Sequence, residues 1–205
     1  MVLIHYTAMA SAQAACNTLC DPQKQVSAHY VVAEDGQITA LVPEDLRAWH
    51  AGAGRWGGVT DVNSHSIGIE LANNGTSPFA APLMDALCDL LTGIMQRWDI
   101  RPERVIGHSD MAPGRKIDPG PRFDWRRLAL EGLSVWPVAG QADPSDFAAM
   151  MRAFGVTATD DPDLLLDTFR RRFRPWAQGP LDAIDAGLIA DLARRFPVDG
   201  LTRTD

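Results

Sequence analysis

The sequence predicts an α/β fold, a mixed central β-sheet flanked by helices, followed by a small C-terminal three-helix domain. Three observations carry this expectation. Short β-branched runs alternate with helical stretches through the first two thirds of the chain, the pattern of a sheet covered by helices. An Asp35-Gly36 pair separates two of those runs, a hairpin signal that makes the sheet mixed rather than purely parallel. Beyond a stretch at 137–144 that carries proline and glycine, three helical periods follow with no strand signal.

The elements follow in order. Residues 1–7 open on the apolar run Met1-Val2-Leu3-Ile4 and read as a buried strand that ends in His5. Residues 11–19 are rich in alanine and read as a helix, stopped by Asp21-Pro22. Residues 26–33 and 38–42 are the hairpin strands around the turn at 34–37. Residues 43–63 have little periodicity and carry Gly52, Gly54, Gly57 and Gly58. A surface excursion of this length in a compact domain is often functional. Residues 66–71 form the next strand, closed by Asn73-Asn74-Gly75. Leu83, Leu87, Leu90, Leu91, Ile94 and Trp98 share one helical face, so 81–98 is a helix. Arg101-Pro102 breaks it, and Val105-Ile106-Gly107 returns to the sheet. In the loop that follows, Pro113, Gly114, Pro119, Gly120 and Pro121 exclude regular structure, and Phe123-Asp124-Trp125 starts another helix. The expected division is a catalytic domain over 1–136, a linker over 137–144 and a helical domain over 145–205. Its three helices are expected at 145–154, 163–173 and 185–195. Leu165, Leu166, Phe169 and Phe173 line one helical face there, and Leu188, Leu192 and Phe196 another. A bundle of about 60 residues can just sustain a core.

Composition narrows the function. The formal net charge is −7 and the pI about 5.1, which gives no electrostatic reason to expect nucleic acid. Positive charge gathers locally at Arg170-Arg171-Arg172-Phe173-Arg174. No apolar run approaches the ~18–20 residues of a membrane span, and no basic, apolar leader opens the chain. As written, the protein is expected in the cytoplasm and as a monomer. Because the first strand starts at Met1 itself, a leader missing from this sequence would instead put it in the periplasm or on an outer-membrane anchor. Cys16, Cys20 and Cys88 are too few and too odd in number for a disulfide framework, and Cys16 and Cys20 read as buried helix cysteines.

The chemistry concentrates in the loop at 107–121, where a rigid connector is loaded with His108, Lys116 and Asp118. His108 and Asp118 are too far apart in sequence for a short zinc motif, so a metal site needs a third group from elsewhere. His5 offers it. Two strands that each run out of an apolar stretch into a histidine can present both imidazoles at one sheet edge. With Asp118 these make a two-histidine, one-carboxylate set, which leaves a fourth position open for water, as catalytic zinc requires.

Ile4-His5-Tyr6-Thr7, Val26-Ser27-Ala28-His29-Tyr30, Ala48-Trp49-His50-Ala51-Gly52, Ser66-Ile67-Gly68-Ile69-Glu70-Leu71 and Gly107-His108 with Lys116-Ile117-Asp118-Pro119-Gly120 occur in this order. In these motifs the sequence resembles the zinc-dependent N-acetylmuramoyl-L-alanine amidases related to peptidoglycan recognition proteins, over roughly residues 1–136. The resemblance implies that family's mixed sheet flanked by helices. It also implies hydrolysis of the amide between the lactyl group of N-acetylmuramic acid and L-alanine, in peptidoglycan or muropeptides. It puts Zn²⁺ on His5, His108 and Asp118, and Glu70 and Lys116 at assisting positions. Glu70 would act as general base, and Lys116 would stabilise the oxyanion. His50 would bind substrate, help the oxyanion or brace the long loop. Arg115 would meet a stem-peptide carboxylate or stand solvated. His29 reads as structural and Trp49 as packing. The tail is similar to the three-helix peptidoglycan-binding modules attached to such amidases, with Arg170–Arg174 as a carboxylate-binding or merely solvated face. The alternative is a non-catalytic protein that recognises muropeptide on the same fold.

Overall fold

The computed structural model describes residues 1–198; the last positions of the expected helical domain lie outside the described residues. Five strands form one mixed sheet: β1 (Val2–Tyr6), β2 (Tyr30–Val32), β3 (Ile38–Ala40), β4 (Ile67–Leu71) and β5 (Val105–Gly107), in the order β3-β2-β4-β1-β5. Only the β2/β3 hairpin is antiparallel, as the Asp35-Gly36 turn requires; every other pair is parallel. The helices are α1 (Ala12–Leu19), α2 (Ala81–Trp98), α3 (His108–Met111), α4 (Trp125–Leu130), α5 (Phe147–Phe154), α6 (Pro162–Phe173) and α7 (Ala183–Arg195).

Side chains alternate across a strand, so each strand divides its residues between two layers. Val2 and Ile4 of β1 and Ile67, Ile69 and Leu71 of β4 face α2 and α4, where they meet Leu83, Leu87, Leu91, Ile94 and Leu128. Leu3 and Ile106 face the other way. They join Trp56, Val62 and Met111 in a second buried cluster with Phe147, Phe154, Leu165, Phe169, Ile189 and Leu192. The C-terminal helices therefore share a core with the back of the sheet. The stretch at 137–144 interrupts secondary structure without interrupting packing. Backbone contacts cross the same seam: Gly57 N donates to Gly155 O at 2.9 Å, and Thr157 Oγ1 to Gly57 O at 2.8 Å.

The structure differs from the sequence expectation in three places. Residues 26–29 are not strand, because Ser27 N turns to Trp49 O and Gln25 adopts a left-handed backbone. Cys20 is exposed at the end of α1 and Cys16 only half-buried, so these are not buried helix cysteines; Cys88 is buried. The loop after β5 opens with the helical turn α3, which lies ahead of the first proline or glycine and is capped by Asp110 Oδ2 on Gly107 N at 2.7 Å.

Candidate metal centre and active-site cleft

Register brings the site together. His5 on β1 pairs with Glu70 on β4, and both lie on the face of Leu3, opposite α2. Ile4 pairs with Gly107, so His108, the next residue, opens α3 beside His5. Asp118 is carried back to the same point because Ser109 N donates to its carbonyl at 2.9 Å. The site thus lies at the carboxyl ends of the parallel strands, where α/β sheets leave a crevice. His5 Nδ1 lies 2.9 Å and His108 Nδ1 3.1 Å from the same oxygen, Asp118 Oδ2. The two rings stand nearly perpendicular with centroids 4.5 Å apart, and all three side chains are buried.

The outer ring nitrogens decide what the inner ones can do. His108 Nε2 has a carbonyl partner, Ala51 O at 2.8 Å, so it carries the proton and Nδ1 is bare. The Ser66 hydroxyl donates to Val62 O, so towards His50 Nε2 it accepts; His50 Nδ1 is then free to accept from His5 Nε2 at 3.0 Å. That leaves His5 Nδ1 bare as well. Two imidazole lone pairs and a carboxylate oxygen then converge with no proton between them, an arrangement that a cation relieves. Burial pushes His5 down to about 4, with His108 acting the same way, and holds His50 well below the usual histidine range. Burial acts to raise Asp118; an Nδ1 proton on His108 or His5 would hold its carboxyl low, and with both Nδ1 atoms bare a cation has to take that part. At neutral pH His5 is neutral, and a neutral imidazole with an ionised Asp118 is the state that metal ligation needs.

Three further residues shape this cluster. His29 is structural: Gly68 N donates to its Nδ1 and its Nε2 meets Leu46 O. Gly68 has to be glycine, since a Cβ there would stand 2.5 Å from the His50 ring. Asn63 Oδ1 accepts from both His50 N and Ala51 N, at 3.0 and 2.8 Å, and so fixes the long excursion.

A cleft of about 530 Å³ opens over the cluster, lined by His5, His50, Glu70, His108, Arg115, Lys116 and Asp118 together. Burial and the neighbouring Asp118 push Glu70 up to about 8, with Lys116 pulling the other way, and Glu70 Oε2 is sealed without a partner. The exposed Arg115 donates to Ala51 O at 2.7 Å and to Ala53 O, fastening the glycine-rich excursion to the loop that carries His108 and Asp118. Trp49 is not packing: it is 57% exposed at the mouth of the cleft. Sequence reasoning missed Asn63, Ser66 and Asp110. Nothing in local periodicity marks a polar side chain whose partners are distant in sequence. The arginine run of the tail is neither a solvated face nor a free carboxylate binder, because each arginine is internally paired: Arg170 with Asp185, Arg171 with Asp167, Arg172 with Asp110, Arg174 with Asp182.

Residues 1–121 match the family model described as N-acetylmuramoyl-L-alanine amidase. Over 97% of its length the chain is 36% identical to the N-acetylmuramoyl-L-alanine amidase AmiD of Escherichia coli, spanning 84% of that protein. The structure of that protein, in complex with the substrate anhydro-N-acetylmuramic acid-L-Ala-D-gamma-Glu-L-Lys, superposes with a TM-score of 0.87 at 33% identity, covering 96% of this chain and 89% of that one. AmpDh3 from Pseudomonas aeruginosa, in complex with anhydromuramic pentapeptide, superposes at 0.86 with 31% identity, over 96% and 92% of the two chains. The 1,6-anhydro-N-acetylmuramyl-L-alanine amidase AmpD of E. coli is 40% identical, but over only 52% of this chain and 58% of its own.

Proposed function

The chain belongs to the N-acetylmuramoyl-L-alanine amidase family, and from that premise we propose that it hydrolyses the amide between N-acetylmuramic acid and L-alanine with Zn²⁺ held by His5, His108 and Asp118. The observation that carries this reading is the convergence of two bare Nδ1 atoms and one carboxylate oxygen at the floor of a cleft. Two imidazoles and a carboxylate suit zinc, and three protein ligands suit a catalytic site. When bound, the ion lowers the pKa of a water to about 7 and polarises the carbonyl under attack.

The chain's own residues supply the rest. Glu70, in register with His5, accepts the proton of the attacking water and delivers it to the departing alanine amine. Burial and the Asp118 charge raise its pKa in the metal-free chain, and a cation held by Asp118 would offset that charge and favour the carboxylate form that a base needs. Lys116, half-buried over the same cleft, balances the charge that develops on the carbonyl oxygen. His50 holds the His5 proton on Nε2, keeping Nδ1 for the metal, and borders the cleft from the substrate side. Arg115 and the exposed Trp49 edge the cleft where a stem peptide or sugar would lie.

Anhydromuropeptides are the ligands of the AmiD and AmpDh3 complexes, and the same class is the substrate proposed for this chain. Residues 1–136 would hold the chemistry, and 145–205 would correspond to the peptidoglycan-binding-like segment beyond the 137–144 junction. A single chain supplies every side chain that the mechanism uses. Among the described residues no helix is long and apolar enough to cross a membrane. The test is product analysis: purified chain with one equivalent of zinc should release the free tripeptide from an anhydromuramyl tripeptide and lose this activity on chelation. Tight binding of the muropeptide without cleavage would identify a recognition protein instead.

A further inference from the structure

The loop that carries two of the proposed ligands is held from beneath by a residue of the C-terminal helices. Arg172 of α6 is 3% exposed, and its Nη1 makes a buried ion pair with Asp110 of α3. Its Nη2 donates to Val105 O of β5 at 3.2 Å and to Ser134 Oγ at 3.1 Å. The guanidinium carbon lies 4.1 Å from the centre of the Trp125 ring.

These contacts converge on Gly107. Asp110 Oδ2, the oxygen that Arg172 grips, also accepts from Gly107 N at 2.7 Å. A Cβ on Gly107 would meet Pro119 Cδ at 2.8 Å and the Trp125 ring at 3.3 Å, so the backbone is wedged between the ring under Arg172 and the residue after Asp118. Gly107 directly precedes His108, and Ser109 N holds Asp118 O. One guanidinium therefore fixes the strand end, the helical turn and the wedge that together aim His108 and Asp118.

We propose that Arg172 is a positioning residue for the metal centre, acting through Asp110 and Gly107 on His108 and Asp118. This rests on the reading that these residues, with His5, hold the metal. Buried ion pairs add little net stability over well-packed apolar side chains, but removing one partner leaves an uncompensated charge. Among the described residues Asp110 has no second cationic partner. Without Arg172 its buried carboxylate has lost its charge partner and turns towards water, which releases Gly107 N and tilts α3. Misplacement of about 1 Å is enough to degrade a site of this kind.

The test is metal affinity in the full chain. Metal-stripped protein is titrated with cobalt(II), read by its visible bands, and zinc affinity is measured by chelator competition. Arg172→Met should weaken zinc by at least tenfold and shift the cobalt bands, and Arg172→Lys should recover part of both. Leu192→Ala, which empties the same core from α7, is the control: it should lower Tm and leave affinity and spectrum unchanged. If Arg172→Met does not fold, Asp110→Asn decides, with the same loss expected. Wild-type affinity in Arg172→Met, or in Asp110→Asn where that stands in, overturns the proposal, as does an equal loss of affinity in Leu192→Ala. A wild-type chain that binds no metal at all overturns the metal reading itself, and this inference with it.

Discussion

At the scale of single residues, the two carboxylates of the site separate by environment. Asp118 faces two histidine Nδ1 atoms across hydrogen-bonding distance, whereas Glu70 is sealed on one edge without a partner and is pushed up to about 8 by burial. Asp118→Ala should remove a ligand, so zinc content and turnover fall together; a variant that keeps stoichiometric zinc and normal turnover would remove Asp118 from the centre. Glu70→Gln should keep zinc and lose about 10²- to 10⁴-fold in rate, the usual worth of a positioned general base. Glu70 also predicts a pH dependence. Its folded pKa lies above its unfolded value near 4.5, so the metal-free protein gains from Glu70 below that value and loses this gain as pH rises through about 8. Metal-free wild type should therefore lose stability relative to Glu70→Gln between about pH 5 and 8, so the gap between the two melting curves should change across that range. Parallel melting curves would refute the raised pKa. His5 and His108 were legible in the sequence because each follows an apolar run, and Asp118 because it lies in the glycine- and proline-marked loop that His108 opens. Asn63 and Asp110 were not, since their importance lies in backbone groups that only folding brings to them.

At the scale of elements, the period-2 alternation of β1 and β4 does most of the organising. It sends Val2, Ile4, Ile69 and Leu71 to the α2 layer and leaves Leu3, His5, Gly68 and Glu70 on the opposite face. Those runs and the apolar face of α2 were readable from sequence for the same reason: each buries one continuous stripe. The segment 26–29 was misread as strand because its backbone follows no one partner strand: Ser27 N donates to Trp49 O in the long excursion, and His29 N to Gly68 O of β4. The absence of a side chain at Gly68 lets the His50 ring lie flat against β4. Gly68→Ala should push that ring away and break the relay that keeps the His5 proton on Nε2. We expect a rate loss of about tenfold or more, because a misplacement near 1 Å costs up to about 10², together with a lower Tm from the overpacking. A fully active Gly68→Ala enzyme would mean that His50 does not orient His5.

At the scale of the whole molecule, the tail was legible as three helices but not as a layer of the sheet. Helical periodicity reports that Leu165, Phe169 and Phe173 share a face; it cannot report that the face meets Leu3, Ile106 and Met111, more than 50 positions away in sequence. A tethered module would leave the catalytic part intact when removed, and only activity on polymeric wall would fall. The shared core argues for a different outcome. A chain ending after Gln141 would uncover Leu3, Trp56, Val62, Ile106 and Met111, all 1% exposed or less. Fully uncovering an apolar side chain of this size costs about 1.5–3 kcal/mol, and a whole domain is stable by only about 5–15 kcal/mol. Exposing even three or four of them approaches that margin, and Asp110 would lose Arg172 at the same time. The truncated chain should therefore lose its cooperative thermal transition and its turnover of soluble muropeptide together with its activity on sacculi. A truncated protein that melts cooperatively and cleaves soluble muropeptide at the full-length rate would show that residues 142–205 are a detachable module after all.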